Sequence, residues 1–448
     1  MGKRDFQSVR SEADGKSDND SKGETATKFV AFIKMQWYVF VLQGPAESGL
    51  DVRTLSSRLM NANTETTLVP TAPAPVDTAA LETGSDRRTD IDAKMTLVAE
   101  LLKEVGCDGL LLLDPDNFAW LTAGATARGI LDPGEHPAGY CNGEQRWVLC
   151  SNLDSQRLFD EEVGELGFQL KEWPYHWGRD QLLADLCQGR RVACDQPLGE
   201  CKVVGEELRL LRRRLTVYEQ ACLEAVGGLV SHALEATCRT MQPGITEREL
   251  AAQVSHRLMH RGVQVVSVSV AAEGRSQTYR RHGFTSMAVE RYALLTATGR
   301  KYGVCATASR AVSFGDPGEE FRKDHNTVCK VSATYLASTW PDAVPREILL
   351  AGRRIYLLSG FEHEWLLAAQ GHVTGRAPVE LPLLPSTEEL FQAGWAVTWS
   401  ASAGSALSCD TFLLTDKGPK IVTPTEVWPL KRIRVQGADF IRPDILQR

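Results

Sequence analysis

Apolar and polar positions fall into order from about residue 94. Met95–Val105 places apolar residues at helical spacing, and Gly106-Cys107-Asp108 stops that helix. Gly109–Leu113 is a wholly apolar run, the mark of a strand buried on both faces. Residues 117–121 (NFAWL) and 146–150 (RWVLC) read as further strands, Arg179–Leu186 as a helix and Arg191–Cys194 as a short strand. This alternation predicts a small α/β unit that ends near residue 205. A long helix is expected from Glu206 to Met241, broken near Gly227-Gly228. Behind it, Thr246 can cap a helix that Glu249, three residues on, closes as a capping box; this helix runs to His260 and Gly262 ends it. Residues 263–425 carry many short strands, one clear helix around Pro345–Leu358 and a shorter one near Glu388–Gln392. Two helices followed by a strand-rich half predict an α+β class for the larger part.

The first ~90 residues are patterned differently. Residues 1–28 are polar and charged. Residues 29–42 (FVAFIKMQWYVFVL) are apolar but interrupted by Lys34 and Gln36, and they are too few for the roughly 20 that a membrane-spanning helix needs. A signal peptide stays open as a reading, although the 28-residue polar stretch in front of them is much longer than a usual n-region. Residues 62–92 are rich in Thr, Ala, Pro and Asp and read as linker. The expected organisation is a low-complexity or disordered extension over 1–91, an α/β domain over 92–205, a strand-rich domain over 206–430 and a tail over 431–448.

Composition narrows the function. The chain has 448 residues, 43% of them hydrophobic and 24% charged, with a formal net charge of −7. Nucleic-acid binding is not expected, because it leaves a basic footprint. Arg212-Arg213-Arg214 is the strongest local basic run, and within a helix it reads as a solvated face. Eleven cysteines include no Cys-x-x-Cys pair. Cys187, Cys194 and Cys201 recur every seven residues, but Gly189, Pro197 and Gly199 exclude one continuous helix. Reduced thiols in a cytoplasmic protein without a membrane partner are the expectation.

Several segments, taken in order, resemble the creatinase/prolidase/aminopeptidase P family over about residues 94–430. Asp108-Gly109, Leu110–Leu113 and Asn117-Phe118-Ala119-Trp120-Leu121-Thr122 are similar to its N-terminal domain. Pro243-Gly244-x-Thr246-Glu247 is similar to the turn between the first two helices of its pita-bread domain. Gly371-His372, Gly375, Glu380 and Pro382 fall at the spacing of its Gly-His segment, and Asp410-Thr411 before Phe412–Thr415 is similar to its last strand. The resemblance implies a C-terminal pita-bread domain preceded by a smaller creatinase-type α/β domain. It also implies two divalent metal ions held by two Asp, one His and two Glu. At those places this chain has Thr296, Thr307, His372, Ser400 and Cys409, and Val379 replaces a histidine that assists proton transfer. Two divalent ions about 3.5 Å apart repel by roughly 20 kcal/mol at an effective dielectric of 20. Hydroxyls and one thiol cannot offset that, so neither a dimetal centre nor any other cofactor is expected. The segment Thr398–Gly404 and Arg281-His282-Gly283 are similar to a branch of the family that also lacks several ligands.

Three functions follow from the resemblance. One is a pseudoenzyme, a binding module for a peptide or small amide-type ligand without metal-dependent hydrolysis. A second is a metal-free, creatinase-like hydrolase of a C–N bond, with His282 and His372 as candidate catalytic groups. The third is an active proline-specific aminopeptidase or dipeptidase, which the ligand positions disfavour. Glu380 and Cys409 are the candidate ligand contacts, and a homodimer is compatible with the family. The acidic-histidine cluster Glu362-His363-Glu364 reads as a solvated turn.

Overall fold

Helix α1 (Gly84–Val105) follows a short strand β1 (Thr64–Thr67) in the computed structural model, which describes residues 64–67, 81 and 84–448. Then come β2 (Gly109–Leu112), α2 (Pro115–Leu121), β3 (Ala138–Cys141), β4 (Arg146–Ser151), β5 (Gln169–Trp173), α3 (Asp180–Cys187), β6 (Val192–Cys194) and β7 (Lys202–Val203). These six strands make one mixed sheet in the order β5-β4-β3-β2-β6-β7. All four residues of β2 are buried, as its apolar run predicts.

The second half opens with α4 (Gly205–Arg213), α5 (Val217–Thr240) and α6 (Glu247–His260), followed by the strands β8 (Gln264–Ala272), β9 (Tyr292–Lys301) and β10 (Val304–Ser313). Helices α7 (Glu319–Ser338) and α8 (Pro345–Leu358) lead to β11 (Gly371–Thr374), β12 (Leu381–Pro382), β13 (Ala396–Ala403), β14 (Ala406–Thr415) and β15 (Gly418–Ile421). The chain closes with β16 (Leu430–Val435), β17 (Ala438–Pro443) and β18 (Leu446–Gln447). One four-stranded sheet runs β18-β10-β9-β8 and one five-stranded sheet runs β12-β11-β13-β14-β15, while β1, β16 and β17 form a third. This is the α+β pita-bread arrangement, with a smaller α/β domain before it. Helices α5 and α6 cover one sheet, and α7 and α8 cover the other, each with its own buried core. Among the described residues no helix is long and apolar enough to cross a membrane; residues 29–42 lie outside the described set.

Several local expectations are corrected. NFAWL is helical, because Asp114 accepts hydrogen bonds from the Asp116 and Asn117 amides and Pro115 opens the first turn. The helix expected to begin near residue 94 begins at Gly84, so the boundary drawn at residue 92 falls inside it; Asp90 and Lys94 form a buried ion pair one turn apart. The long helix over 206–241 is two helices, parted at Arg214–Thr216 by a new capping box of Thr216 and Glu219. Gly227 does not break α5: a Cβ there would collide with the Val422 carbonyl, so glycine permits a close approach. Helix α7 was not foreseen, and no helix forms at Glu388–Gln392. There Glu389 pairs with Arg213 and Phe391 is buried. The expected tail over 431–448 is folded into β16–β18, with Ile433 and Val435 packed on α7 beside Cys329 and Ala333. Arg212 and Arg213 are not a solvated face; each is 5% exposed and paired with Glu380 or Glu389.

Candidate functional site

In an antiparallel pair, directly opposed residues share a sheet face and neighbours along a strand alternate. Thr298 faces Thr307, Thr296 faces Ser309, and on the other side Ser267 faces Thr298 and Ser269 faces Thr296. Six hydroxyl side chains therefore occupy one face of β8–β10. The opposite face presents Val268, Val270, Leu295, Ala297, Ala306 and Ala308 to the helices. The second sheet is divided in the same way. His372 faces Thr398, Thr398 faces Thr411, and Ser400 faces Cys409. Its other side turns Val373, Val397, Trp399 and Phe412 into the second core.

The two polar faces meet along β10 and β14. The Thr307 amide donates to the Thr411 hydroxyl at 2.9 Å, that hydroxyl contacts Thr398 Oγ1 at 3.0 Å, and Thr298 and Thr307 share a hydrogen bond of 2.9 Å. One step along, the Cys409 amide donates to Ser309 Oγ at 2.8 Å. Thr296, Thr307, His372, Ser400 and Cys409 thus all lie on the joined polar faces.

Their chemistry is neutral. The Thr296 hydroxyl is buried and has no hydrogen-bond partner among the described residues. His372 likewise makes no described hydrogen bond, and burial pushes its imidazole down to about 4, so it is uncharged at neutral pH. Burial, then the nearby Asp410 charge, push the Cys409 thiol up to about 12 against a weaker pull from the Ser400 hydroxyl. Among the described residues no group of three or more His, Cys, Asp or Glu side chains is placed to hold a metal ion.

The neighbouring carboxylates are already engaged. Asp410 points to the opposite side of β14, where it meets Arg310 at 3.0 Å and Arg442, while Arg310 also holds Glu235 at 2.9 Å. Glu380, expected as a ligand contact, is 5% exposed and holds Arg212 at 2.8 Å and the Ala377 amide at 2.8 Å. It fastens α4 to the β11–β12 connection. Glu364, expected in a solvated turn, is 1% exposed and anchors Arg280 at 2.6 Å and the Gly404 amide at 3.0 Å. His282 lies in the connection between β8 and β9. Its Nδ1 sits 3.3 Å from the Tyr279 carbonyl, and its Nε2 is buried without a partner among the described residues. No described hydrogen bond joins it to His372 or Cys409.

Sequence reasoning missed the ion network behind the faces, because Arg310, Glu235, Asp410 and Arg442 lie far apart in the chain. It also passed over a visible signal. Ser267-Val268-Ser269-Val270, Thr296-Ala297-Thr298 and Thr307-Ala308-Ser309 alternate with the period of a strand whose one face is uniformly hydroxylated.

Residues 221–406 match the family model described as metallopeptidase family M24. No curated protein matches the chain. Among solved structures, prolidase from Pyrococcus furiosus is 18% identical with a TM-score of 0.62, over 73% of this chain and 99% of that one. Dipeptidase PepE from Mycobacterium ulcerans is 16% identical with a TM-score of 0.64, over 81% and 99%. The N-terminal domain of FACT complex subunit SPT16 from Cicer arietinum is 13% identical with a TM-score of 0.57, over 77% and 96%. At these identities the likeness is one of fold.

Proposed function

We propose, for a chain whose residues 221–406 match the M24 family model and whose fold is like that of prolidase, a binding module that holds a peptide or small amide-type ligand on its hydroxylated face, without metal-dependent hydrolysis. The donor set carries this reading. Two divalent ions call for anionic oxygen donors, and Thr296, Thr307 and Ser400 supply neutral hydroxyls. Cys409 adds a thiol that keeps its proton at neutral pH. These residues do not fit a dimetal centre. Hydroxyls and a neutral imidazole can each donate and accept, which suits the N–H and C=O groups of an amide. The buried Thr296 hydroxyl would otherwise cost about 1–3 kcal/mol unsatisfied. Support also comes from the range of neighbours: peptidases and a subunit of a complex share this fold, and a fold does not dictate its chemistry. The cytoplasm is the proposed compartment, from cysteine usage alone.

A metal-free hydrolase is the second reading, favoured by the unpartnered Nε2 of His282, which could take a proton from an attacking water and return it to the leaving nitrogen. The test has two arms. Elemental analysis of the gently purified protein should find no stoichiometric manganese, cobalt or zinc, and added manganese should not elicit cleavage of an Xaa-Pro dipeptide. Two metal equivalents or metal-dependent turnover would overturn the proposal. In the second arm, a displayed peptide library is enriched on the wild-type protein and counter-screened on folded His372→Trp, which fills the face. Equal recovery on both would place binding elsewhere.

A further inference from the structure

Three of the eleven cysteines recur at 187, 194 and 201 without sharing a helix. Cys187 ends α3, Cys194 ends β6, and Cys201 immediately precedes β7. Gly189 and Gly199, with φ of 68° and 48°, turn the chain on either side of β6. The outer two cysteines are thereby brought back together with their sulfurs 3.6 Å apart. Cys194 stays fully buried, its sulfur toward Asp195 at 3.8 Å. Cys187 and Cys201 are both partly exposed, and a small oxidant can reach them.

We propose that Cys187 and Cys201 are an oxidation site, a thiol pair that closes to an intramolecular disulfide within the native fold. The co-reactant is a low-molecular-weight disulfide. One protein thiol loses its proton and its sulfur attacks the small disulfide, releasing one small thiol and leaving a mixed disulfide. The second protein thiol then loses its proton and displaces the other small thiol. Two protein thiols are oxidised and one small disulfide is reduced to two thiols. Burial, and then the neighbouring Cys187, hold the Cys201 thiol up to about 11, so closure quickens as pH rises. The bond would tie the end of α3 to β7, the edge strand of its sheet, and so to α4, whose Arg212 is fixed on Asn117 and Glu380. An oxidisable surface pair suits a cytosolic protein in which such bonds are transient.

The reduced full-length protein, incubated folded at alkaline pH with oxidised glutathione and then denatured, should lose two of its eleven thiols. Peptide mapping should recover one internal link, Cys187 to Cys201. Cys187→Ser or Cys201→Ser should leave the remaining partner capped by glutathione, and the double variant should lose no thiol; Cys→Ala versions serve if serine perturbs folding. An unchanged count, a link that involves Cys194 or Cys107, capping of both sulfurs without a link, or the same loss in the folded double variant would each overturn the proposal.

Discussion

Two histidines respond to pH in opposite directions. His372 has its pKa lowered to about 4 by burial, against an ordinary value near 6.5. A depressed base is more readily protonated when unfolded, so its stabilising share is intact above pH 6.5 and is lost as pH falls toward 4. By pH 4 the loss is on the order of 3 kcal/mol. Urea unfolding between pH 7 and 4 should show this acid limb in the wild type and a flatter one in His372→Gln. His325, on α7, behaves inversely. Burial alone would push it down, but Cys329 and the Asp444 carboxylate outweigh that and raise it to about 9. Lys431 also reaches Asp444, at 3.2 Å. Stability from this cluster is complete below pH 6.5 and is lost as pH rises through about 9. His325→Gln should flatten the alkaline limb of the same curve; an alkaline limb as steep as the wild type's would remove His325 as its source.

Strand register is what the ligand positions depend on. A slip of one residue would turn a side chain to the opposite face. Replacing Thr296→Asp, Thr307→Asp, Ser400→Glu and Cys409→Glu together should install carboxylates around His372 and create manganese binding, read by calorimetric titration. Catalysis should stay poor, since Val379 has no titratable group to assist proton transfer. Absence of binding in a variant shown to be folded would mean that one position is out of register, with Ser400 the first suspect. Gly227→Ala should cost about 1–3 kcal/mol by overpacking α5 against the Val422 carbonyl. Elements with strong periodicity or a local stop signal were legible beforehand: β2, the Thr246–Glu249 box and α8 all stand where the sequence places them. Helix α7 was obscured by its polar and β-branched residues, although Phe321, Val328, Val331 and Tyr335 do form a buried stripe at helical spacing. The site was legible as five places in the chain, whereas the pairings that commit Glu380 and Asp410 elsewhere depend on residues more than 30 positions away, which no local pattern encodes.

At the scale of the whole described chain, ion pairs and a buried hydrogen bond link the α/β domain to the pita-bread domain. Arg300 meets Asp116 at 2.8 Å, Arg212 meets Glu380 and Asn117, and Glu219 holds Lys94 at 2.7 Å and Arg376 at 2.6 Å. Removing the shared anion by Glu219→Ala takes this carboxylate from the buried Arg376 and leaves Lys94 with Asp90 as its counter-ion, and should cost about 3–5 kcal/mol in chemical denaturation; a loss below about 1 kcal/mol would show that Arg376 finds another partner. Limited proteolysis should leave a core that starts ahead of Gly84, since a cut near residue 92 would sever α1 at the Asp90–Lys94 pair. Mass mapping of the resistant fragment decides this.

Glu219 spends its two oxygens on different tasks: one accepts the Thr216 amide at the start of α5 and the other lies between Lys94 and Arg376. A single carboxylate therefore makes the first turn of a helix and the seam between two domains one cooperative unit. In native-state hydrogen exchange, the Thr216 amide should not fray on its own, as helix starts usually do. Its exchange should share an opening free energy with the amides of α1 around Lys94, and both should shift together when either domain is destabilised.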